Sequence, residues 1–195
     1  RVVGTPLLHP ARAARGAGLG GRTAPAGDVN GDGYSDVIVG SPDWTDTGYL
    51  HHGHAWVLLG GPGGLQSSFD LDVSGSQDEG EFGYSVASAG DVDGDGHDDV
   101  LVGMPSHEGG LYENGRVHLY YGSSSGVQTT GSWYADSDVS SRFGFSVATA
   151  GDVDGDGLDD IVVGDPFTGS WSSGRISVKY GAAGGLSGHT MDWSE

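Results

Sequence analysis

Aspartate, asparagine and glycine recur in one pattern, D-x-[DN]-x-D-G-x-x-D, at Asp28–Asp36, Asp91–Asp99 and Asp152–Asp160. Such a pattern is chemistry for a hard dication, and calcium takes about six to eight oxygens at about 2.3–2.6 Å. Alternate positions of a tightly turned loop point inward, so oxygens at the first, third and fifth positions converge on one centre. The ninth position adds a further carboxylate. The expected side-chain ligands are Asp28, Asn30, Asp32 and Asp36, then Asp91, Asp93, Asp95 and Asp99, then Asp152, Asp154, Asp156 and Asp160. The seventh position turns its main-chain carbonyl inward, which makes the side chains of Tyr34, His97 and Leu158 irrelevant there. Glycines at the fourth and sixth positions permit the turn. Asp98 and Asp159, at the eighth position, are expected to point away and add only field. An EF-hand is excluded, because its loop needs a bidentate Glu at the twelfth position and a helix after it. Val39, Val102 and Val163 stand there instead, inside β-type runs. The first loop has Asn30 where the others have a carboxylate, so it is expected to be the weakest of the three calcium sites.

The composition agrees. Asp outnumbers Glu by 22 to 5, and the formal net charge is −19. Asp favours turns and short-reach oxygen ligation. Three bound dications would move the formal net charge from −19 to −13, so calcium should stabilise the fold. A need of that kind suits calcium-rich extracellular space. With one Lys and seven Arg, no phosphate-tracking nucleic-acid surface is expected. No cysteine is present, which removes disulfides, thiolate metal sites and thiol catalysis. No apolar run approaches the roughly 20 residues that span a bilayer. The chain opens on Arg1 and is read as a processed product or a piece of something longer.

The elements that carry the loops repeat with them. AGDVNGDGYSDVIVGSP (Ala26–Pro42), AGDVDGDGHDDVLVGMP (Ala89–Pro105) and AGDVDGDGLDDIVVGDP (Ala150–Pro166) align without gaps. Each period reads as four short strands. A small-residue strand such as Tyr84–Ala89 precedes the loop. A continuous apolar strand follows it, at Val37–Val39, Val100–Val102 and Ile161–Val163, as suits a strand covered on both faces. The third strand is expected at Ala55–Leu59, Val117–Tyr121 and Ile176–Tyr180. A Gly-rich turn leads to a fourth, alternating in Phe69, Leu71, Val73 and again in Met191, Trp193. Four antiparallel strands per period, with no helix signal, describe a propeller blade. The fold class is therefore all-β, with three four-stranded antiparallel blades. Residues 1–18 are read as an arm or linker, 19–79 as blade one, 80–140 as blade two and 141–195 as blade three.

Phe82-Gly83 and Phe143-Gly144, with Gly40-Ser41-Pro42, Gly103-Met104-Pro105 and Gly164-Asp165-Pro166, resemble the FG and GAP signatures of FG-GAP repeats. These repeats build the integrin α-subunit propeller and related bacterial extracellular proteins. The resemblance implies calcium at the loop between strands one and two, and ligands on the opposite face. Blade one departs from it: Leu19-Gly20 stands for FG, and Arg22 and Pro25 interrupt its first strand, since proline cannot donate to a ladder.

His51, His52 and His54 are read as exposed loop histidines. No catalytic constellation is found, and the chain is read as a non-enzyme. The loops Asp43–His52, Ser106–Asn114 and Phe167–Ser173 carry Trp44, Tyr49, Tyr112, Phe167 and Trp171, aromatic candidates for contacts to a protein or glycan. Three blades do not close a ring, so both outer flanks are expected to be open. The leading reading is an extracellular calcium-binding module for binding or adhesion, without catalysis. The alternatives are a subunit that self-assembles through its flanks into a ring or filament, and an accessory region of a secreted enzyme.

Overall fold

The computed structural model describes residues 18–46, 48–168 and 173–195. Among them no helix occurs, and the strands form three four-stranded antiparallel sheets. The first sheet holds β1 (Arg22–Gly27), β2 (Asp36–Ser41), β3 (His54–Leu58) and β4 (Leu71–Ser74). The second holds β5 (Ser85–Gly90), β6 (Asp99–Met104), β7 (Arg116–Tyr120) and β8 (Trp133–Asp136). The third holds β9 (Ser146–Gly151), β10 (Asp160–Asp165), β11 (Arg175–Lys179) and β12 (Trp193–Ser194). In each sheet the strands lie side by side in chain order, as propeller blades require.

The side chains sort by the period-two rule. In the first sheet Ile38, Ala55, Val57 and Leu71 turn to the second sheet and pack with Val100, Val102, Met104 and Tyr120. In the second, Leu101, Val117, Leu119 and Trp133 turn to the third and pack with Ile161 and Val163. The apolar middle strands are therefore covered on both faces at the central blade. The glycines of the two signatures meet across each junction. A Cβ on Gly40 would lie 2.1 Å from the Gly83 carbonyl oxygen, and one on Gly103 2.1 Å from that of Gly144. Phe82 and Phe143 are buried beside them, and short parallel bridges Gly53–Phe82 and Gly115–Phe143 join the sheets.

Several sequence expectations shift. The third strands begin one residue earlier than expected, and Phe69 and Met191 lie outside the fourth strands. Phe69 instead packs on Trp56, and Met191 on the core between the second and third sheets. Pro25 does not interrupt β1, which pairs with β2 from Arg22 to Gly27. β1 is an outermost strand of its sheet, where a missing N–H is tolerated. The flanks are unequal. On the outer face of the first sheet Trp56 is 0% exposed and Trp44 5%, with Val39 and Phe69 against them. On the outer face of the third sheet Ile176 is 52% exposed and Trp193 42%.

Candidate metal centre

The three acidic loops join the first and second strands of each sheet. At the end of β1, β5 and β9 the ladder slips by one residue, which releases the chain into the loop. Inside, the first Asp is the pivot. Asp28 accepts the amides of Asp32 (3.0 Å) and Gly33 (2.9 Å). Asp91 does the same for Asp95 (3.0 Å) and Gly96 (2.9 Å), and Asp152 for Asp156 (3.0 Å) and Gly157 (3.0 Å). The third position accepts the amide of the fifth at 3.2 Å in every copy, through Asn30, Asp93 and Asp154. The fifth accepts the amide of the seventh, through Asp32, Asp95 and Asp156. Asp91, Asp93 and Asp95 bring carboxylate oxygens within 4.8 Å of one another, and so do Asp152, Asp154 and Asp156. Such a donor set fits a hard dication. Burial, with the charges of Asp95 and Asp91, pushes the Asp93 carboxyl up from its ordinary range.

The ninth position forms the floor. Asp36 is buried and accepts Val29 N (2.8 Å) and Gly60 N (2.6 Å). Asp99 accepts Val92 N (3.0 Å) and Gly122 N (2.9 Å), and Asp160 accepts Val153 N (2.8 Å) and Gly181 N (2.8 Å). Each carboxylate thus ties its loop to the end of the third strand. Burial outweighs those amide bonds and pushes Asp99 up to about 8. Asp36 is raised for the same reason. An oxygen that accepts one amide keeps a second lone pair, so this structural role and ligation are compatible.

The FG-GAP repeat model matches residues 20–52, 82–120 and 143–178, more than half of the chain and all three loops. The chain belongs to the FG-GAP repeat family. It is 34% identical to integrin alpha-5 of Xenopus laevis over 171 residues, 85% of this chain and 15% of that protein. It is 36% identical to integrin alpha pat-2 of Caenorhabditis elegans over 177 residues, 82% of this chain and 14% of the relative. It is also 34% identical over 165 residues to phosphatidylinositol-glycan-specific phospholipase D of Rattus norvegicus, 78% of this chain and 19% of that protein. The chain therefore spans less than a fifth of the length of these relatives.

The seventh and eighth positions of the FG-GAP loops do more than the spacing implied. Asp98 does not point away: its Oδ2 accepts Asp28 N at 2.7 Å, across the junction to the first sheet. Its own amide donates to the Asp28 carbonyl at 3.2 Å. Asp159 repeats this on Asp91, at 2.9 and 3.1 Å. The seventh side chain reaches the preceding loop as well. A Cβ on Gly31 would meet the His97 ring at 3.1 Å, and one on Gly94 would meet Leu158 at 2.8 Å. The one signal for the eighth position in the sequence is its presence in the second and third loops and its replacement by Ser35 in the first.

Other FG-GAP positions proposed for chemistry or contact fall differently. His51 is exposed, but His52 is buried with Nδ1 3.0 Å from the Tyr49 carbonyl. His54 stacks on Trp56 with ring centroids 4.3 Å apart, and its Nε2 sits 2.5 Å from Asp72. Burial lowers its pKa against the pull of Asp72. His52 and His54 are packing residues. Trp44 is no exposed anchor either, since it meets Trp56 edge-on at 5.1 Å. Tyr49, Tyr112 and Phe167 are exposed as expected, and Trp171 lies outside the described residues.

Proposed function

We propose that these FG-GAP blades hold calcium at three loops and serve as a non-catalytic binding or adhesion module outside the cell. The observation that carries the reading is the threefold recurrence of one loop geometry. The first, third and fifth side chains and the seventh carbonyl hold the ion, and the ninth carboxylate lends a further oxygen. The ligand set is Asp28, Asn30, Asp32, Tyr34 and Asp36, then Asp91, Asp93, Asp95, His97 and Asp99, then Asp152, Asp154, Asp156, Leu158 and Asp160. Bound calcium offsets the repulsion among clustered carboxylates and favours the folded state by mass action. Ion affinities in the range of about 10⁻⁴–10⁻³ M belong to extracellular modules. The partner is a protein or glycan that meets exposed aromatics such as Tyr112 and Phe167 on the loops between second and third strands. The integrin relatives support the binding role. Calorimetric titration with calcium tests the reading, with melting followed with and without chelator. Saturable binding and a melting temperature raised by several degrees are expected, and an unchanged melt with no heat of binding overturns it.

A second reading is favoured by the exposed outer face of the third sheet, with Ile176 and Trp193 on it. Two copies that pair through this face bury both residues, and the molar mass from light scattering would double with concentration. A third reading, as an accessory region of a secreted enzyme, draws on the similarity to the phospholipase D.

A further inference from the structure

We infer that Asp98 and Asp159 each set the calcium affinity of the preceding blade's loop rather than of their own, so that ion binding and blade docking are linked across each junction. The inference rests on the calcium reading above and goes beyond it. Asp28 and Asp91 are the pivots of their loops, because Asp28 holds two loop amides on its carboxylate and Asp91 holds three. The next blade grips both main-chain groups of these same residues. Asp98 takes the Asp28 amide on Oδ2 and donates to the Asp28 carbonyl, and Asp159 does so for Asp91. A residue whose amide and carbonyl are both fixed presents its carboxylate in one orientation, and a preorganised ligand binds more tightly.

The chain leaves room for this clasp. Gly27 and Gly90 precede the pivots with φ of +85° and +77°. A Cβ on them would lie 2.3 Å from Asp98 Oδ2 and 2.1 Å from Asp159 Oδ2. The third loop, which has no such neighbour among the described residues, provides the contrast. Gly151 has the same left-handed φ, +69°, but a Cβ there meets nothing within 4 Å. Asp152, Asp154 and Asp156 are all exposed, whereas Asp91 and Asp93 are half-buried. The second loop alone combines a full carboxylate set with a clasp. It is the tightest of the three, while the first has Asn30 in place of one carboxylate and the third has no clasp among the described residues.

The test is a calcium titration of the full chain followed by amide NMR at Gly33, Gly96 and Gly157, one reporter per loop. Asp98→Ala should weaken the first loop by about tenfold, the loss of one hydrogen bond to a charged acceptor, and leave the second and third unmoved. Asp98→Asn removes the same charge but keeps an acceptor oxygen, and should restore most of the affinity. Ser35→Ala should move no site. A shift in the second loop instead of the first overturns the inference, as does an equal effect of Asn and Ala, which would make it a matter of field. If Asp98→Ala fails to fold, Asp159→Ala and Asp159→Asn are read at Gly96. A wild-type chain without saturable shifts would refute the calcium reading and the affinity claim with it. Amide exchange of the first loop in the calcium-free chain judges the clasp separately: faster exchange in Asp98→Ala supports it, and unchanged exchange removes it.

Discussion

Gly90→Ala and Gly151→Ala change the same position of two repeats, with almost the same backbone. Gly90 has φ +77° and Gly151 φ +69°, so both variants carry the left-handed penalty of an L-residue, about 1–2 kcal/mol. Their surroundings differ. The new Cβ at position 90 would sit 2.1 Å from Asp159 Oδ2 and 2.7 Å from Asp159 Cβ, so the carboxylate must leave Asp91 N. A hydrogen bond to a charged acceptor contributes about 1.5–3 kcal/mol. At position 151 nothing lies within 4 Å. Gly90→Ala should therefore cost about 3–5 kcal/mol and Gly151→Ala about 1–2 kcal/mol. For a chain of this size the difference of about 2 kcal/mol separates the melting temperatures by about 4–8 °C. Thermal and urea unfolding in chelator, by circular dichroism, measure it without interference from calcium. Equal destabilisation by the two variants would refute the argument that the junction, rather than the backbone conformation, makes position 90 costly.

Arg175→Met should cost about 3 kcal/mol, because it takes the ion-pair partner, held at 2.9 Å, from the wholly buried Asp165 carboxylate and leaves it the Thr168 hydroxyl; denaturant unfolding that shows less than about 1 kcal/mol would contradict that. Stability should also fall with acid through His118. Its ring lies among Phe82, Tyr120 and Tyr134, and burial, with Arg116 and His107 nearby and Asp136 opposing, pushes it down to about 3. The folded state refuses the proton that the unfolded chain accepts near pH 6.5, so stability declines from about pH 6.5 toward pH 3. The slope from this residue is at most about 1.4 kcal/mol per pH unit. His118→Gln should flatten the pH profile of unfolding over that window, and an unaltered profile would remove His118 as a cause.

The strands and the acidic loops were legible in the sequence because their signals are local. Three copies of one string fix the loop, and an apolar run such as Val100–Val102 needs only its own residues to read as a doubly covered strand. What the sequence concealed lies between blades. Asp98 and Asp99 are adjacent acids, yet Asp99 turns down to Val92 and Gly122 of its own sheet and Asp98 turns across to Asp28. Nothing in the pattern of one repeat separates these directions, because the partner amide lies 70 residues away. Trp44 misled for a related reason. A tryptophan in a loop reads as an exposed anchor, but the opposite face of β3 offers Trp56 to cover it.

The departures of blade one acquire a physical sense once the junctions are known. Leu19-Gly20 replaces the Phe-Gly that docks on a preceding sheet, and a Cβ on Gly20 would meet nothing within 4 Å. Ser35 stands where Asp98 and Asp159 make their clasps. The outer face that a preceding blade would need is closed by Trp44 and Trp56. All three features that build the two internal junctions are therefore changed at the same flank. The third sheet keeps its own half of a junction, with Gly151, Gly164 and the exposed Ile176 in the places that Gly27, Gly40 and Ala55 hold in the first. A head-to-tail contact between two copies would set Ser35 and Leu19 against that face and make neither the clasp nor the phenylalanine contact. Self-association, where it occurs, is better served by two third-sheet faces in a closed pair than by an open fibre.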